Sequence, residues 1–372
     1  MRRQDQISSF CYAARLFALV IGALVTMSTS IRTYRCHQID DDITTISLDE
    51  VTLPAPAPDE VQVRLKACAV NFPDILMIQG KYQKKPPLPF APGGEAAGDV
   101  VAVGSDVSDI REGDAVIVGC GHGGFAEAIN ISSDSVRPMP PGMDYAAAAS
   151  FQTAYLTAWV ALTCRGHLQA GEHLLVHGAT GGVGMAAVDL GKHLDAQVIA
   201  TGGRDDKLAV VKSRGADHVI NYTLPDGKLG GFRDEVKALT GGNGADVVYD
   251  PVGGDVFDES MRCVNIDARL LTIGFTSGRW PQVAVNLILI KQLSVIGVRA
   301  GEFGRTYPER GIENQRAVYD LAASGAISPY VCCAFPLEDA IAAMQMLESR
   351  NVVGKCVVTM NDYKPVLDHS ID

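Results

Sequence analysis

The chain has 372 residues, more than one ordinary core organises, and a composition of 47% hydrophobic and 20% charged residues points to a globular protein of two domains. A formal net charge of −11, with no basic patch to offset it, disfavours nucleic acid and anionic membranes as partners. Nine cysteines without a C-x-x-C pair read as reduced thiols of an intracellular protein, and the adjacent Cys332 and Cys333 as a strand with one thiol inward.

At the N-terminus, Arg2, Arg3 and Arg15 precede the apolar run Leu16 to Val25, which is too short to span a bilayer comfortably. A secretory signal, an organelle presequence and a true start at Met27 all fit this pattern, so residues 1–30 are set apart from the fold. The expected location is cytoplasmic, or mitochondrial or another organelle if that segment is a targeting signal. From Ile31 to about Arg137 the pattern is β-rich. In "EVQVRLKA", Val61, Val63, Leu65 and Ala67 alternate onto one face, as in a half-buried strand. Prolines at 138 to 141 mark a domain boundary near residue 150.

Beyond that boundary strands alternate with helices: strands at 173–177, 196–200, 217–222, 245–250 and 269–274, and a last strand "LSVIGV" at 293–298. This rhythm predicts an α/β fold with a doubly wound parallel sheet over residues 151–298. The remainder, 299–372, holds two helices and the strand "GKCVVTM". It is too small to fold alone and is expected to return to the β-rich domain of residues 31–150.

The stretch "HGATGGVGMAAVDL" follows the first strand of the alternating region and opens a helix whose apolar face is Val183, Ala186, Ala187, Leu190 and Leu194. It fits a dinucleotide-binding fingerprint at Ala179, Gly181 and Gly184, with alanine replacing the first glycine. Gly181 lets the backbone approach a pyrophosphate, Gly184 lets helix and strand pack closely, and the turn as a whole includes Gly182 and Val183. The second strand ends in Thr201-Gly202-Gly203 with no acid to hold a ribose 2′-hydroxyl. Arg204 and Lys207 follow and can pair with a 2′-phosphate, which favours NADPH over NADH. Asp205 and Asp206 fall where they would cap the next helix.

The stretches "AVNFPDILMIQGKYQ", "PFAPGGEAAGDVVAVGSDV", "GGFAEA", "HGATGGVGMAAVDLGK", "GADHVINY" and "GADVVYDPVGGD" together resemble the zinc-free quinone oxidoreductase branch, which includes zeta-crystallin, of the medium-chain dehydrogenase/reductase superfamily. The resemblance covers about residues 31 to 361. It implies a Rossmann domain beside a discontinuous GroES-like catalytic domain. It also implies that Asn71 lies near the nicotinamide and that Tyr82 walls the substrate pocket. By the same resemblance Thr157 contacts the cofactor, Lys207 and Tyr222 hold the adenosine 2′-phosphate, and Arg350 adds a further cofactor contact. Zinc-dependent relatives carry a cysteine where this chain has Asn71 and a histidine where it has Gly94, so two of three catalytic zinc ligands are missing and no metal is expected. Cys120 and His122 in "GCGHGG" read as an ordinary loop.

Without a metal the natural reaction is hydride delivery to an electrophilic acceptor, with Asn71 able to orient the carboxamide or to donate to the developing oxyanion, and Tyr82 to pack or to donate a proton. Three functions follow from the resemblance: an NADPH-dependent quinone reductase, an enone or enoyl double-bond reductase, and a non-catalytic NADPH-binding protein. The "MIQG" shared with enoyl-thioester reductases leans toward the second. Relatives commonly form homodimers through a sheet edge, for which "LSVIGV" is the candidate strand.

Overall fold

A computed structural model describes residues 28–367. The expected N-terminal extension therefore lies outside the described residues up to position 27, and the first strand already begins at Thr29. The N-terminal part contains β1 (Thr29–Arg35), β2 (Ser47–Leu53), β3 (Glu60–Ala69), α1 (Phe72–Ile78), β4 (Ala96–Val103), β5 (Ala115–Val118), β6 (Ala128–Ser132) and β7 (Val136–Pro138). Next come α2 (Tyr145–Trp159), β8 (His173–Val176), α3 (Gly182–His193), β9 (Gln197–Gly202), α4 (Asp205–Ser213), β10 (His218–Asn221), α5 (Arg233–Leu239) and β11 (Ala245–Asp250). Then follow α6 (Gly254–Ser260), β12 (Val264–Thr272), α7 (Val285–Lys291) and β13 (Ser294–Gly297). The chain ends in α8 (Ala300–Thr306), α9 (Pro308–Ala323), β14 (Val331–Pro336), α10 (Ala340–Glu348) and β15 (Lys355–Thr359). After residue 299 there are thus three helices and two strands, one of each more than the sequence pattern suggested.

Six strands pair in parallel in the order β10-β9-β8-β11-β12-β13, a doubly wound sheet. Helices cover both faces, so its strands are apolar throughout: Leu174, Leu175, Val176, Val198, Ile199, Val247 and Val248 are fully buried. Each such side chain contributes about 1.5–3 kcal/mol of burial. The strand order reverses beside β8, and the crevice beyond its carboxyl end is where such sheets take ligands. The glycine turn occupies that position.

The second sheet runs β14-β15-β3-β4-β5-β7, with β6 also pairing β3. Only β14 and β15 are parallel to each other. Val61, Val63, Leu65 and Ala67 are buried, as their alternation implies, and β15 docks on β3, so the C-terminal strand does join the β-rich sheet. Helix α2 ties the two sheets together. Its small residues Ala146, Ala148, Ala149, Ala154 and Ala158 are all buried, which lets it pack against both layers. Val318 and Ala322 of α9 join the same core.

Cys332 and Cys333 differ from the expectation of one thiol inward. The β14–β15 register shifts between Val331 and Cys333, and this bulge turns both thiols to one side, with sulfurs 3.3 Å apart and both half-buried.

Candidate active site at the domain junction

The turn after β8 is built as the fingerprint requires, with its strain shifted by one residue. Gly178, not the residue at the first fingerprint position, takes the left-handed backbone, at φ +55°. Ala179 is therefore free to be alanine, and it is fully buried with its N–H donating to the Thr201 carbonyl at 3.1 Å. Gly181 is the N-cap of α3 in extended backbone, and a Cβ there would meet only the Gly178 carbonyl oxygen, at 3.5 Å. That side of the turn is open space at a helix N-terminus, the place where a pyrophosphate accepts backbone N–H bonds. Gly184 is different: a Cβ would stand 2.3 Å from the Gly178 oxygen, so glycine there sets how closely helix and strand pack. Gly182 and Val183 are half-buried in the first turn of α3.

The tip of β9 is Gly202-Gly203, followed by Arg204, which is the N-cap of α4. Asp205 and Asp206 stand inside the first turn and do not cap it. Asp205 accepts from the Asn221 amide at 2.9 Å and Asp206 from Arg204 at 3.0 Å, so both serve the helix dipole and their neighbours. Arg204 is exposed. Lys207 is only 5% exposed, and its ammonium donates to the backbone carbonyls of Arg350 at 2.6 Å and Val352 at 3.3 Å. Burial lowers its pKa. The lysine thus clasps the turn carrying Arg350, a residue at φ +60° whose guanidinium donates to the Thr276 carbonyl at 2.8 Å. Burial raises the Tyr222 pKa while the Arg350 charge lowers it, and a Cβ on Gly203 would stand 3.9 Å from the Tyr222 ring, so Tyr222 lies beside the β9 tip. The structure therefore gathers Lys207, Tyr222 and Arg350 at one end of the crevice, with Arg204 at its rim.

At the other end lies Asn71, the N-cap of α1. Its backbone N–H donates to Asp74 at 2.8 Å, and its side-chain amide reaches Glu95 and Lys355. The Asn71 amide nitrogen donates to Glu95 Oε1 at 2.9 Å, and its amide oxygen accepts from Lys355 Nζ at 2.6 Å. Lys355 also contacts Glu95 Oε1 at 3.0 Å, and Glu95 Oε2 accepts the Thr153 backbone N–H at 2.9 Å. Glu95 and Lys355 are 3% and 5% exposed. The Lys355 charge and these hydrogen bonds outweigh desolvation and hold the Glu95 carboxyl below its usual range. Asp74 is buried as well, and desolvation pushes it up to about 7 despite two backbone N–H donors. Lys355 bridges to the glycine turn: Gly354 donates to the Thr180 carbonyl at 2.8 Å, and a Cβ on Gly182 would stand 2.7 Å from Lys355 Cδ. Thr157 bonds the Thr153 carbonyl at 2.7 Å, one turn along α2 from the residue that binds Glu95. Tyr82 follows α1, half-buried against the β-rich core.

Glu95, Lys355 and Asp74 were not singled out from the sequence. A lysine inside an otherwise buried strand ("GKCVV") and an acid amid small residues ("GGEAAG") were the available signals, because neither charge tolerates burial without a partner. A fourth residue escaped notice. Asp250, at the end of β11, accepts two backbone N–H groups on one oxygen and none on the other, and burial pushes it up to about 6.

Two family models match the chain: the alcohol dehydrogenase GroES-like domain over residues 57–141 and the zinc-binding dehydrogenase over residues 182–314. The quinone oxidoreductase-like protein 2 homolog of Nematostella vectensis is 33% identical over 331 residues, 88% of this chain and 89% of that protein. The chain belongs to the quinone oxidoreductase branch of the medium-chain dehydrogenase/reductase superfamily. It is an oxidoreductase of that type. Among solved structures, the Escherichia coli quinone oxidoreductase complexed with NADPH matches at TM-score 0.77 and 31% identity, over 88% of this chain and 99% of that one. The CurK enoyl reductase matches at TM-score 0.77 and 25% identity, over 90% and 100%.

A zinc ion, implied by the name of one matching family, does not fit the residues present. Among the described residues no three His, Cys, Asp or Glu side chains gather to hold a metal. Near Asn71, the Cys120 thiol bonds the Gly93 carbonyl at 3.2 Å and burial raises it to about 12, and Glu95 is committed to Lys355. A dinucleotide does fit: Gly181 leaves open space at the N-terminus of α3, and exposed Arg204 stands at the tip of the neighbouring strand β9.

Proposed function

We propose that the protein is a zinc-independent, NADPH-dependent reductase that delivers hydride to a quinone. The observation that carries this reading is the Asn71 amide, held by Glu95 and Lys355 beside the glycine turn, where zinc-dependent members of the superfamily place a metal ligand. A site with an amide and no metal donors suits an acceptor that is already electrophilic. NADPH is favoured over NADH because Gly202 and Gly203 offer no carboxylate and Asp205 is engaged with Asn221, whereas exposed Arg204 and the Tyr222 ring stand at the β9 tip with the Arg350 charge acting on Tyr222; Lys207 would have to release the 350–352 carbonyls to reach a 2′-phosphate.

When bound, the nicotinamide supplies the hydride. The turn from Ala179 to Gly184 holds the pyrophosphate through backbone N–H groups, and Thr157 borders the cofactor. Tyr82 walls the acceptor pocket, and Asn71 offers an N–H to the oxygen that gains charge. A second reading, reduction of a carbon–carbon double bond beside a carbonyl, is favoured by the likeness to an enoyl reductase and uses the same residues. Protein dialysed against a chelator and supplied with NADPH should reduce a benzoquinone. Turnover of enones alone selects the second reading, and NADPH binding without either activity selects a non-catalytic role.

The same reading includes a homodimer joined at β13, the outermost strand of the parallel sheet. Beside it α7 has no buried residue and leaves Val285, Leu289 and Ile290 exposed, with Trp280 nearby at 78% exposure. No helix among the described residues is long and apolar enough to cross a membrane.

A further inference from the structure

Glu95 and Lys355 form a buried ion pair, and such pairs are poor sources of stability, because desolvation roughly cancels their attraction. Their geometry suggests a different role. An asparagine amide has two ends of nearly the same shape and can rotate by half a turn in most settings. Here it cannot. Lys355 carries only donors and meets the Asn71 oxygen at 2.6 Å; the Glu95 carboxylate only accepts and meets the Asn71 nitrogen at 2.9 Å. A flipped amide would set N–H against ammonium and oxygen against carboxylate. One N–H of Asn71 is spent on Glu95, and the second has no hydrogen-bond partner among the described residues. The pair is itself fixed from both sides, through the Thr153 N–H of α2 on Glu95 Oε2 and through Gly354, the residue before β15, which is bonded to Thr180 of the glycine turn.

We infer that Glu95 and Lys355 are positioning residues that lock the Asn71 amide with its spare N–H toward the carbonyl oxygen of the acceptor. The inference rests on the proposed hydride transfer. In that step the acceptor carbon gains the hydride, the displaced electron pair moves to the carbonyl oxygen, and the Asn71 N–H donates a hydrogen bond to that oxyanion without giving up its proton, which water supplies afterwards. Because the donor is aimed before the charge appears, no reorganisation is needed at the moment of reaction.

Two measurements test this, and the first needs no turnover. The two amide protons of Asn71, assigned by ¹⁵N NMR through their loss in Asn71→Ala, should be resolved and should exchange slowly with water. In Lys355→Met they should broaden or shift together. Unchanged Asn71 amide signals in Lys355→Met would overturn the inference, whatever reaction the protein performs. The second is a double-mutant cycle on kcat with a benzoquinone or an enone, whichever is turned over. Lys355→Met should lower kcat by about 10–100-fold with the KM for NADPH within about twofold, the size of effect expected of a misdirected oxyanion donor. In an Asn71→Ala background the same change should alter kcat by less than about twofold. An equal loss in both backgrounds would show that Lys355 does not act through Asn71 and would refute the inference. If Lys355→Met does not fold with Glu95 left unpaired, the uncharged pair Glu95→Gln/Lys355→Met takes its place in both measurements, with the same outcomes. Silence with both acceptors would refute the proposed reaction, while the NMR arm still decides the positioning.

Discussion

The same substitution at two glycines of one turn should give opposite results. Gly184→Ala places a Cβ 2.3 Å from the Gly178 oxygen and 2.8 Å from Ala179 Cα, both backbone atoms that cannot rotate aside. Helix α3 would have to withdraw from β8 by about 1 Å, an overpacking that costs about 1–3 kcal/mol or more. The better helix propensity of alanine returns only about 1 kcal/mol. At the upper end of that range the net loss of about 2 kcal/mol should lower Tm by about 2–3 °C for a chain of this length. Gly181→Ala meets only one atom, at 3.5 Å, and its φ of −89° suits any residue. Its stability should fall by less than about 1 kcal/mol, the scale of an N-cap change. Its methyl group would instead stand where a pyrophosphate approaches, so NADPH should bind at least about tenfold more weakly, or about 1.4 kcal/mol. Thermal unfolding of the apo proteins and fluorescence titration with NADPH separate the two effects. Equal losses of Tm, or unchanged NADPH affinity in Gly181→Ala, would refute this account of the turn.

Arg350→Ala should raise the KM for NADPH several-fold and leave that for NADH nearly unchanged, because its charge acts on Tyr222 at the proposed 2′-phosphate site; equal effects on both would contradict the assignment. His177 is buried between Thr201 and Ser260, each at 2.7 Å, and burial lowers its imidazole to about 3. Its folded pKa lies below the unfolded value, so its contribution is complete above about pH 6.5 and is lost as pH falls toward 3. Urea unfolding of His177→Gln should therefore show a pH slope shallower by about 1.4 kcal/mol per unit between roughly pH 6 and 4, and an unaltered slope would count against it. Leu289→Glu on the exposed face of α7 should convert a dimer into monomers by light scattering with NADPH binding intact; a wild-type chain of monomeric mass would remove the proposed dimer.

The parallel sheet was legible because its strands are short apolar runs punctuated by glycine, and "ADVVYD" coincides with β11. The glycine turn was legible in position, but the residue bearing the strain was not. A fingerprint records which positions are glycine, whereas the left-handed backbone at Gly178 depends on how the turn meets β11 and α3. Asn71 came from the resemblance, yet its partners Glu95 and Lys355 lie 24 and 284 residues away and meet only because β15 docks on β3. Lys207 was read as a 2′-phosphate ligand; its commitment to the 350–352 backbone is a long-range contact that no local pattern records.

The central claim is NADPH-dependent hydride transfer to a quinone, and the most direct measurement is kcat/KM for NADPH and for NADH with one benzoquinone and one α,β-unsaturated ketone, after chelator treatment. The account predicts quinone-dependent oxidation of NADPH that survives the chelator, with NADH at least about tenfold poorer, or about 1.4 kcal/mol. Loss of activity on chelation, equal use of the two cofactors, or turnover of the ketone alone would each contradict it.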